Sequence, residues 1–137
     1  MVRQKQVCII GAGVSGLAAA KAFAARGHQI AIIERSGDLG GVWEPARPYP
    51  EVQTQSPKDL YRYTDKAMPD SYPEWPKGPQ VHAYLTEYAK DNDLLGAIRV
   101  PQADRRDHLA VLVDHPARVG LGAVDASRVV AERYAQH

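Results

Sequence analysis

The pattern of apolar residues at the start of the chain predicts a strand, a helix and a second strand. Residues 7–10 (VCII) form a short, unbroken apolar run, which is typical of a parallel strand buried on both faces. Residues 15–26 are rich in alanine and favour a helix, and Gly27 is well placed as the left-handed residue that ends it. Residues 29–34 (QIAIIE) are again apolar up to a final acid. We therefore predict strands over residues 6–10 and 29–34, joined by the helix.

A second amphipathic segment lies further along the chain. Residues 80–92 carry apolar side chains at helical spacing, which predicts a helix with that face in the core. These apolar positions are Val81, Tyr84, Leu85 and Tyr88. Residues 98–100 (IRV) predict a third strand.

Between these elements lies a stretch dense in proline and tyrosine, residues 44–79. Proline interrupts helices and cannot donate to a strand ladder, so this stretch cannot be mostly helix or central strand. We expect an ordered excursion that wraps the domain and lays aromatic rings against it. Within it, Ser56 as N-cap and Pro57 at the first helical position predict a short helix over residues 57–62.

The turn after the first strand carries a glycine motif, Gly11-Ala12-Gly13-Val14-Ser15-Gly16. In such a motif Gly11 permits the tight turn, Gly13 lets the backbone approach a pyrophosphate, and Gly16 lets the helix pack closely on the strand. The unpaired N–H groups and the dipole at the helix start favour a phosphate group there. The motif therefore predicts a dinucleotide site, against the alternative of a glycine turn in some other α/β protein.

An acid ends the second strand. Glu34 lies 18 residues after Gly16, close to the roughly 20 expected of the acid that hydrogen-bonds a ribose 2′-hydroxyl. Its charge would repel a 2′-phosphate, which argues against NADP at this site. Because strand, helix and acid all accompany the glycine motif, dinucleotide binding is the favoured interpretation.

A second glycine pair, Gly40-Gly41, follows Glu34 by six residues and precedes Val42-Trp43. It can bring another backbone segment against the diphosphate, whereas the alternative is a loop hinge. This combination is typical of the FAD-binding half of flavoproteins with two dinucleotide-binding domains, and not of plain NAD dehydrogenases. The predicted cofactor-binding residues are Gly11, Ala12, Gly13, Val14, Ser15, Gly16, Glu34, Arg35, Gly40, Gly41, Val42 and Trp43.

Length and charge narrow the possible functions. The 137 residues suffice for one modest core but not for two full domains. The net charge of +1 gives no electrostatic case for nucleic acid or an anionic membrane surface, and no apolar run is long enough to span a bilayer. Polar residues 1–6 lead directly into the first strand and leave no room for a signal peptide, so we expect a cytoplasmic setting.

Cysteine and histidine usage predicts no metal site. The single cysteine, Cys8, excludes an intrachain disulfide and a cysteine metal cluster, and its place in the first strand predicts a buried apolar residue. We expect His82 to face solvent or to cap a neighbour, since no second ligand stands three or four residues away.

Residues 5–100 resemble the N-terminal part of the flavin-containing monooxygenase family, which includes dimethylaniline monooxygenases and is related to Baeyer–Villiger enzymes. The resemblance is carried by residues 11–17, Glu34, 39–43, 49–58, 63–65, 68–69, 72–73, 84–85, 88–89, 93–95 and 98–100. It implies an α/β fold with a Rossmann-like parallel sheet, of which residues 1–100 would be the FAD-binding portion.

The resemblance also implies a chemistry. NADPH would reduce bound FAD, and the reduced flavin would form a C4a-hydroperoxide that passes one oxygen atom to an amine nitrogen or a sulfide. The cofactor performs the difficult chemistry, and the protein shields it from water. The family places an amide near the flavin ring in a Thr-Asn motif, which matches Thr54-Gln55 here. Gln55 is thus the candidate catalytic residue, although its side chain is one methylene longer and the alternative is an ordinary loop residue.

The resemblance stops after Val100. Residues 101–137 are rich in arginine and lack lysine, whereas every lysine of the chain lies at or before Lys90. Residues 109–113 predict a strand, and residues 126–135 a helix capped by Asp125. The family's second glycine motif, which would bind NADPH, is not found.

We expect a truncated or frame-shifted product whose FAD-binding portion is inactive alone. Two alternatives stay open: another FAD oxidoreductase of the same architecture, such as an amine oxidase or disulfide reductase, and a non-catalytic remnant too incomplete to hold FAD.

Overall fold

Three parallel strands form a sheet in the order β1-β2-β3. The computed structural model describes residues 4–47 and 50–100. Its elements are β1 (Gln6–Ile10), α1 (Val14–Ala24), β2 (Gln29–Ile33), a 3₁₀ turn (Gly41–Trp43), α2 (Gly78–Asp91), a second 3₁₀ turn (Leu95–Ala97) and β3 (Ile98–Arg99). Parallel strands with a helical crossover confirm the predicted α/β, Rossmann-like fold class.

The sheet and α1 bury one face of the βαβ unit. Ile9 of β1 pairs in register with Ile32 of β2, which pairs in turn with Ile98 of β3. Helix α1 packs on β1 and β2 and inserts Leu17 and Ala20, both fully buried. Burial of such apolar surface is the main stabilising contribution to this unit.

The expectation that β1 is buried on both faces is wrong for the described residues, and so is the expectation of a buried Cys8. Gln6, Cys8 and Ile10 are exposed and alternate with half-buried Val7 and Ile9. β1 lies at the edge of the described sheet, and α1 covers only the face to which Val7 and Ile9 point. An apolar run alone therefore did not specify how many faces are covered.

Helix α1 ends earlier than predicted, at Ala24 instead of residue 26. Gly27 nevertheless adopts the predicted left-handed conformation, with φ of 78°, and its N–H donates to the carbonyl of Ala24 at 2.8 Å. This positive φ favours glycine, and it turns the chain directly into β2.

The helix predicted over residues 57–62 is wrong, because the structure has only a turn there. The Lys58 N–H donates to the carbonyl of Glu74 at 2.7 Å. The Lys58 ammonium group donates to the carbonyls of Pro69, Asp70 and Tyr72. The segment is thus bonded to a distant part of the excursion, and local capping signals did not decide its structure.

Helix α2 packs against the excursion through a tyrosine cluster, Tyr63, Tyr84 and Tyr88. The Tyr63 ring stacks on the Tyr88 ring with 3.8 Å between centroids, and the Tyr63 N–H donates to the Tyr84 hydroxyl at 2.8 Å. Tyr84 and Tyr88 are each 2% exposed, which confirms their predicted place in the core. Neither helix of the described residues has the length and apolar character needed to cross a bilayer.

The strand predicted over residues 109–113 and the helix predicted over 126–135 with its Asp125 cap lie outside the described residues. Residues 1–3, Pro48 and Tyr49 also lie outside them.

Candidate dinucleotide-binding site

The glycine turn brings the end of β1 directly to the start of α1. Gly11 has a φ of 95°, and its N–H donates to the carbonyl of Ile33 at 2.7 Å, which ties the turn to β2. A Cβ atom added at Gly16 would overlap the carbonyl oxygen of Gly11, so only glycine allows this approach of helix and turn. The backbone geometry thus matches the roles that the motif predicts for Gly11 and Gly16.

The N-terminus of α1 is suited to an anion. Gly13 is the N-cap residue, no side chain caps the helix, and its first turn contains no acidic residue. The amide N–H groups of the first turn lack intrahelical acceptors, and the helix dipole is positive at this end. A phosphate group is the ligand that such a terminus favours.

The second glycine pair lies directly against the first turn. The Gly40 N–H donates to the carbonyl of Ala12 at 2.9 Å. A Cβ atom on Gly41 would lie 3.2 Å from the Cα of Gly13, and Gly41 has a φ of 62°. The two glycine segments therefore form one packed backbone surface beside the start of α1.

Glu34 is 4% exposed, and both of its carboxylate oxygens accept backbone hydrogen bonds. Oε2 accepts from the Ala12 N–H at 2.7 Å, and Oε1 accepts from the Ser36 N–H at 2.9 Å. Burial by itself would raise the pKa of Glu34, but the hydrogen bonds from Ser36 and Ala12 outweigh it and hold the pKa below its ordinary value. Glu34 is therefore an anion at neutral pH, fixed in place by the two chain segments that flank the site.

A cavity of about 700 Å³ connects these features. Its size lies within the range usual for ligand pockets. All but two of the predicted cofactor-binding residues line it; the exceptions are Ala12 and Trp43. Ala12 is fully buried and donates to Glu34. The indole N–H of Trp43 donates to the Tyr61 hydroxyl at 3.0 Å.

Four further residues line the cavity that sequence reasoning did not identify: Ile10, Ile33, Arg47 and Tyr61. Ile10 and Ile33 end β1 and β2, and ligands of such sheets bind at the carboxyl ends of the strands, so the predicted strand ends could have indicated them. Arg47 and Tyr61 come from the excursion, and no local signal in the sequence points to them.

Gln55 does not lie at this cavity. It is exposed and occupies a bend after Thr54, a residue that is 1% exposed. The Thr54 hydroxyl has no hydrogen-bond partner among the described residues. The backbone N–H of Thr54 donates to the carbonyl of Pro76 at 2.9 Å. The catalytic role of Gln55 stays a prediction.

His82 lies beside a neighbouring carboxylate, but its Nε2 has no hydrogen-bond partner within the described residues, so the expected cap stays a prediction. Its Nε2 lies 3.0 Å from Oδ2 of Asp38, in the loop that leads to the second glycine pair. Within residues 4–47 and 50–100, no group of three or more histidine, cysteine or acidic side chains is placed to hold a metal ion.

Residues 4–104 match the family model described as flavin-binding monooxygenase-like. The chain belongs to this family. It is 39% identical over 103 residues to flavin-containing monooxygenase 1 of Homo sapiens and 36% identical over 103 residues to flavin-containing monooxygenase 3 of Macaca mulatta. Each alignment covers 69% of this chain and 19% of the relative, so the chain spans about a fifth of the length of these relatives.

Solved structures agree with this family membership. An oxidized steroid monooxygenase bound to NADP matches with a TM-score of 0.62 and 27% identity, over 72% of this chain and 20% of that one. A flavin-containing monooxygenase of Stenotrophomonas maltophilia matches with a TM-score of 0.58 and 28% identity, over 71% of this chain and 28% of that one. The cofactors of the family are FAD and NADPH.

The fold by itself extends beyond monooxygenases. A bacillithiol disulfide reductase of Staphylococcus aureus matches with a TM-score of 0.60 and 26% identity, over 72% of this chain and 29% of that one. Architecture alone therefore does not distinguish these classes of flavoprotein, whereas the family match over residues 4–104 shows that the chain belongs to the flavin-binding monooxygenase-like family.

Proposed function

We propose that this chain binds FAD through the ADP half of the cofactor and is the FAD-binding portion of an NADPH-dependent flavin monooxygenase. The observation that carries the proposal is the packing of Gly13 against Gly41 beside the buried carboxylate of Glu34. Backbone amides at a helix start suit a diphosphate, and an ionised acid at the end of the second strand suits a ribose diol.

The apolar residues around the cavity also favour FAD as the ligand. Ile10 and Val42 both line the cavity, and they are 79% and 66% exposed. Large apolar side chains clustered around a cavity are typical of a surface that a ligand covers. FAD in the cavity would remove part of this apolar surface from water and so contribute to its own affinity.

The proposed reaction follows from family membership. Bound FAD would supply the activation of O2, so that one oxygen atom would be transferred to an amine nitrogen or a sulfide sulfur and the other would leave as water. NADPH would supply the two electrons as a hydride, and solvent would supply the second proton that the water requires. In this scheme the described residues bind and orient the ADP half, and Gln55 would offer an amide donor near the flavin ring. We propose that this chain alone is inactive, because it spans only a fifth of its relatives.

Purification of the chain and its flavin spectrum test the proposal. We expect flavin absorbance in the folded protein, and chromatography of the heat-released cofactor should identify FAD and not FMN. No NADPH should be consumed when an amine or a sulfide is added. A folded protein that takes up no FAD would refute the binding proposal, and NADPH-dependent turnover would refute the proposed inactivity.

A non-catalytic remnant is the second candidate, and the edge position of β1 in the described sheet favours it. Within the described residues β1 pairs on one side only, and an unpaired strand edge is a site at which chains can associate. A colourless protein that elutes as large aggregates would favour this candidate. A disulfide reductase activity has no such support, because the chain contains one cysteine and a redox pair needs two. A cytoplasmic setting stays a prediction.

A further inference from the structure

A cationic side chain from the excursion lines the cavity next to Glu34. Arg47 is half-buried, and its Nη2 lies 3.5 Å from the hydroxyl oxygen of Ser36. The N–H of Ser36 in turn donates to Oε1 of Glu34. The Arg47 guanidinium group therefore lies at the part of the cavity that contains the acid.

The hydrogen-bonding capacity of Arg47 is largely unused within residues 4–47 and 50–100. A guanidinium group carries five N–H donors. In this part of the chain the side chain forms one hydrogen bond, to Ser36, and no salt bridge with a carboxylate. Glu34 accepts no hydrogen bond from Arg47. Its two carboxylate oxygens accept from the N–H groups of Ala12 and Ser36 instead.

The charges around the cavity indicate what the Arg47 side chain could bind. Glu34 is anionic, so it repels the diphosphate of a dinucleotide even while it suits the ribose. Arg35 and Arg47 both line the cavity and offset this repulsion, and arginine matches phosphate oxygens with parallel N–H donors.

We propose that Arg47 is a cofactor-binding residue that donates hydrogen bonds to the diphosphate of the ADP half. The inference rests on the proposed function, since it requires a dinucleotide in this cavity. It adds a specific ligand contact from the excursion to the contacts proposed for the βαβ unit and the glycine pair.

Calorimetric titration of the full chain with ADP tests the assignment without any flavin chemistry. The variants are Arg47→Gln, Arg47→Lys and the control Arg26→Gln. Arg26 is exposed just after the end of α1 and donates to the carbonyl of Ala22, so its replacement changes the net charge equally without touching the cavity. We expect Arg47→Gln to weaken ADP binding about tenfold or more, Arg47→Lys to lie in between, and Arg26→Gln to stay within about twofold of the wild type.

Two accompanying measurements separate ligand contact from structural damage. The melting temperature of ligand-free Arg47→Gln should match that of Arg26→Gln, and the loss in ADP affinity should shrink as salt is added. If Arg47→Gln binds ADP as tightly as Arg26→Gln, the inference is overturned. The inference is also overturned if the loss of ADP affinity accompanies a lowered melting temperature and does not change with salt concentration.

Binding of ADP and FAD by the wild type distinguishes failure of this inference from failure of the proposed function. If the wild type binds neither ADP nor FAD, the proposed function fails and the role of Arg47 falls with it. If the wild type binds both and Arg47→Gln is unaffected, only the role of Arg47 fails. Should Arg47→Gln not fold, Arg47→Lys decides: weakened ADP binding supports the contact, and unchanged binding overturns it.

Discussion

Gly13 and Gly41 approach each other so closely that a Cβ atom on Gly41 would lie 3.2 Å from the Cα of Gly13. The reverse approach is looser, because a Cβ atom on Gly13 would lie 3.6 Å from the Cα of Gly41. Gly13 also has a φ of −83°, which any residue adopts, whereas Gly41 has a φ of 62°. A methyl group at Gly13 is therefore compatible with the fold, and its effect on ligand binding can be measured separately.

Gly13→Ala should weaken FAD binding while the protein stays folded. The added methyl group stands where the backbone has to approach the diphosphate, so we expect affinity to fall about tenfold or more. Titration of FAD fluorescence measures the change. The control is Gly37→Ala, because a Cβ atom at Gly37 meets nothing within 4 Å. Equal FAD affinity in the two variants would contradict the role of Gly13.

Gly16→Ala should destabilise the fold itself. Its Cβ atom would overlap the carbonyl oxygen of Gly11, so helix and turn must separate. Overpacking of this kind costs about 1–3 kcal/mol of unfolding free energy. Thermal unfolding without ligand should show a melting temperature well below that of Gly13→Ala. A melting temperature equal to the wild type would mean that the close packing at Gly16 is not required.

Glu34→Gln should weaken FAD binding and lower stability at neutral pH. Its amide can accept with one oxygen only, so the N–H of either Ala12 or Ser36 loses its acceptor. An unsatisfied buried donor costs about 1–3 kcal/mol. Urea unfolding at pH 7 measures the stability. Unchanged stability and unchanged FAD affinity would show that the carboxylate has neither role.

The same carboxylate makes stability depend on pH. The pKa of Glu34 in the folded chain lies below its ordinary value of 4.5, because the hydrogen bonds from Ser36 and Ala12 outweigh the effect of burial. Its contribution is thus fully present above about pH 4.5 and is lost as the pH falls through the lower folded-state pKa. Unfolding measured from about pH 6 to about pH 3 should show a smaller decrease for Glu34→Gln than for the wild type. Parallel curves would argue against this linkage.

Tyr63→Phe should loosen the excursion from the start of α1. The Tyr63 hydroxyl donates to the carbonyl of Val14 at 2.7 Å, and burial raises the pKa of Tyr63, so the hydroxyl stays protonated as a donor. Loss of this bond should cost about 1 kcal/mol of unfolding free energy. Tyr72→Phe is the matched control, because the Tyr72 hydroxyl has no hydrogen bond within the described residues. Thermal unfolding should place Tyr63→Phe below the control, and coincident curves would contradict the proposed contact.

The sequence predicts the βαβ unit well because its signals are local. The apolar runs, the alanine-rich helix and Gly27 specify β1, α1 and β2 to within two residues at each end. The structure of the excursion is harder to predict from the sequence, because backbone hydrogen bonds between distant residues, such as Lys58 to Glu74, determine its path. The turn at residues 57–62 shows that a good N-cap and a well-placed proline do not make a helix when such bonds are available.

The residues of the candidate site fall into the same two groups, those with a local sequence signal and those whose position depends on distant contacts. Gly11, Gly13 and Glu34 follow from motif spacing, because each role depends on one turn or one strand end. Arg47 and Tyr61 reach the cavity through the excursion, so their position depends on contacts that spacing does not encode. The exposure of Cys8 was missed for a related reason, since which strands and helices cover a sheet face is a tertiary property.

The most direct measurement is a calorimetric titration of the purified chain with FAD and, separately, with FMN. FMN carries the same flavin ring and one phosphate but lacks the AMP group of FAD, which contains the ribose proposed to contact Glu34 and the second phosphate of the diphosphate proposed to lie at the glycine segments. The account predicts saturable one-to-one binding of FAD and no measurable binding of FMN. A well-folded chain that gives no heat with saturating FAD, or that binds FMN as tightly as FAD, would contradict it.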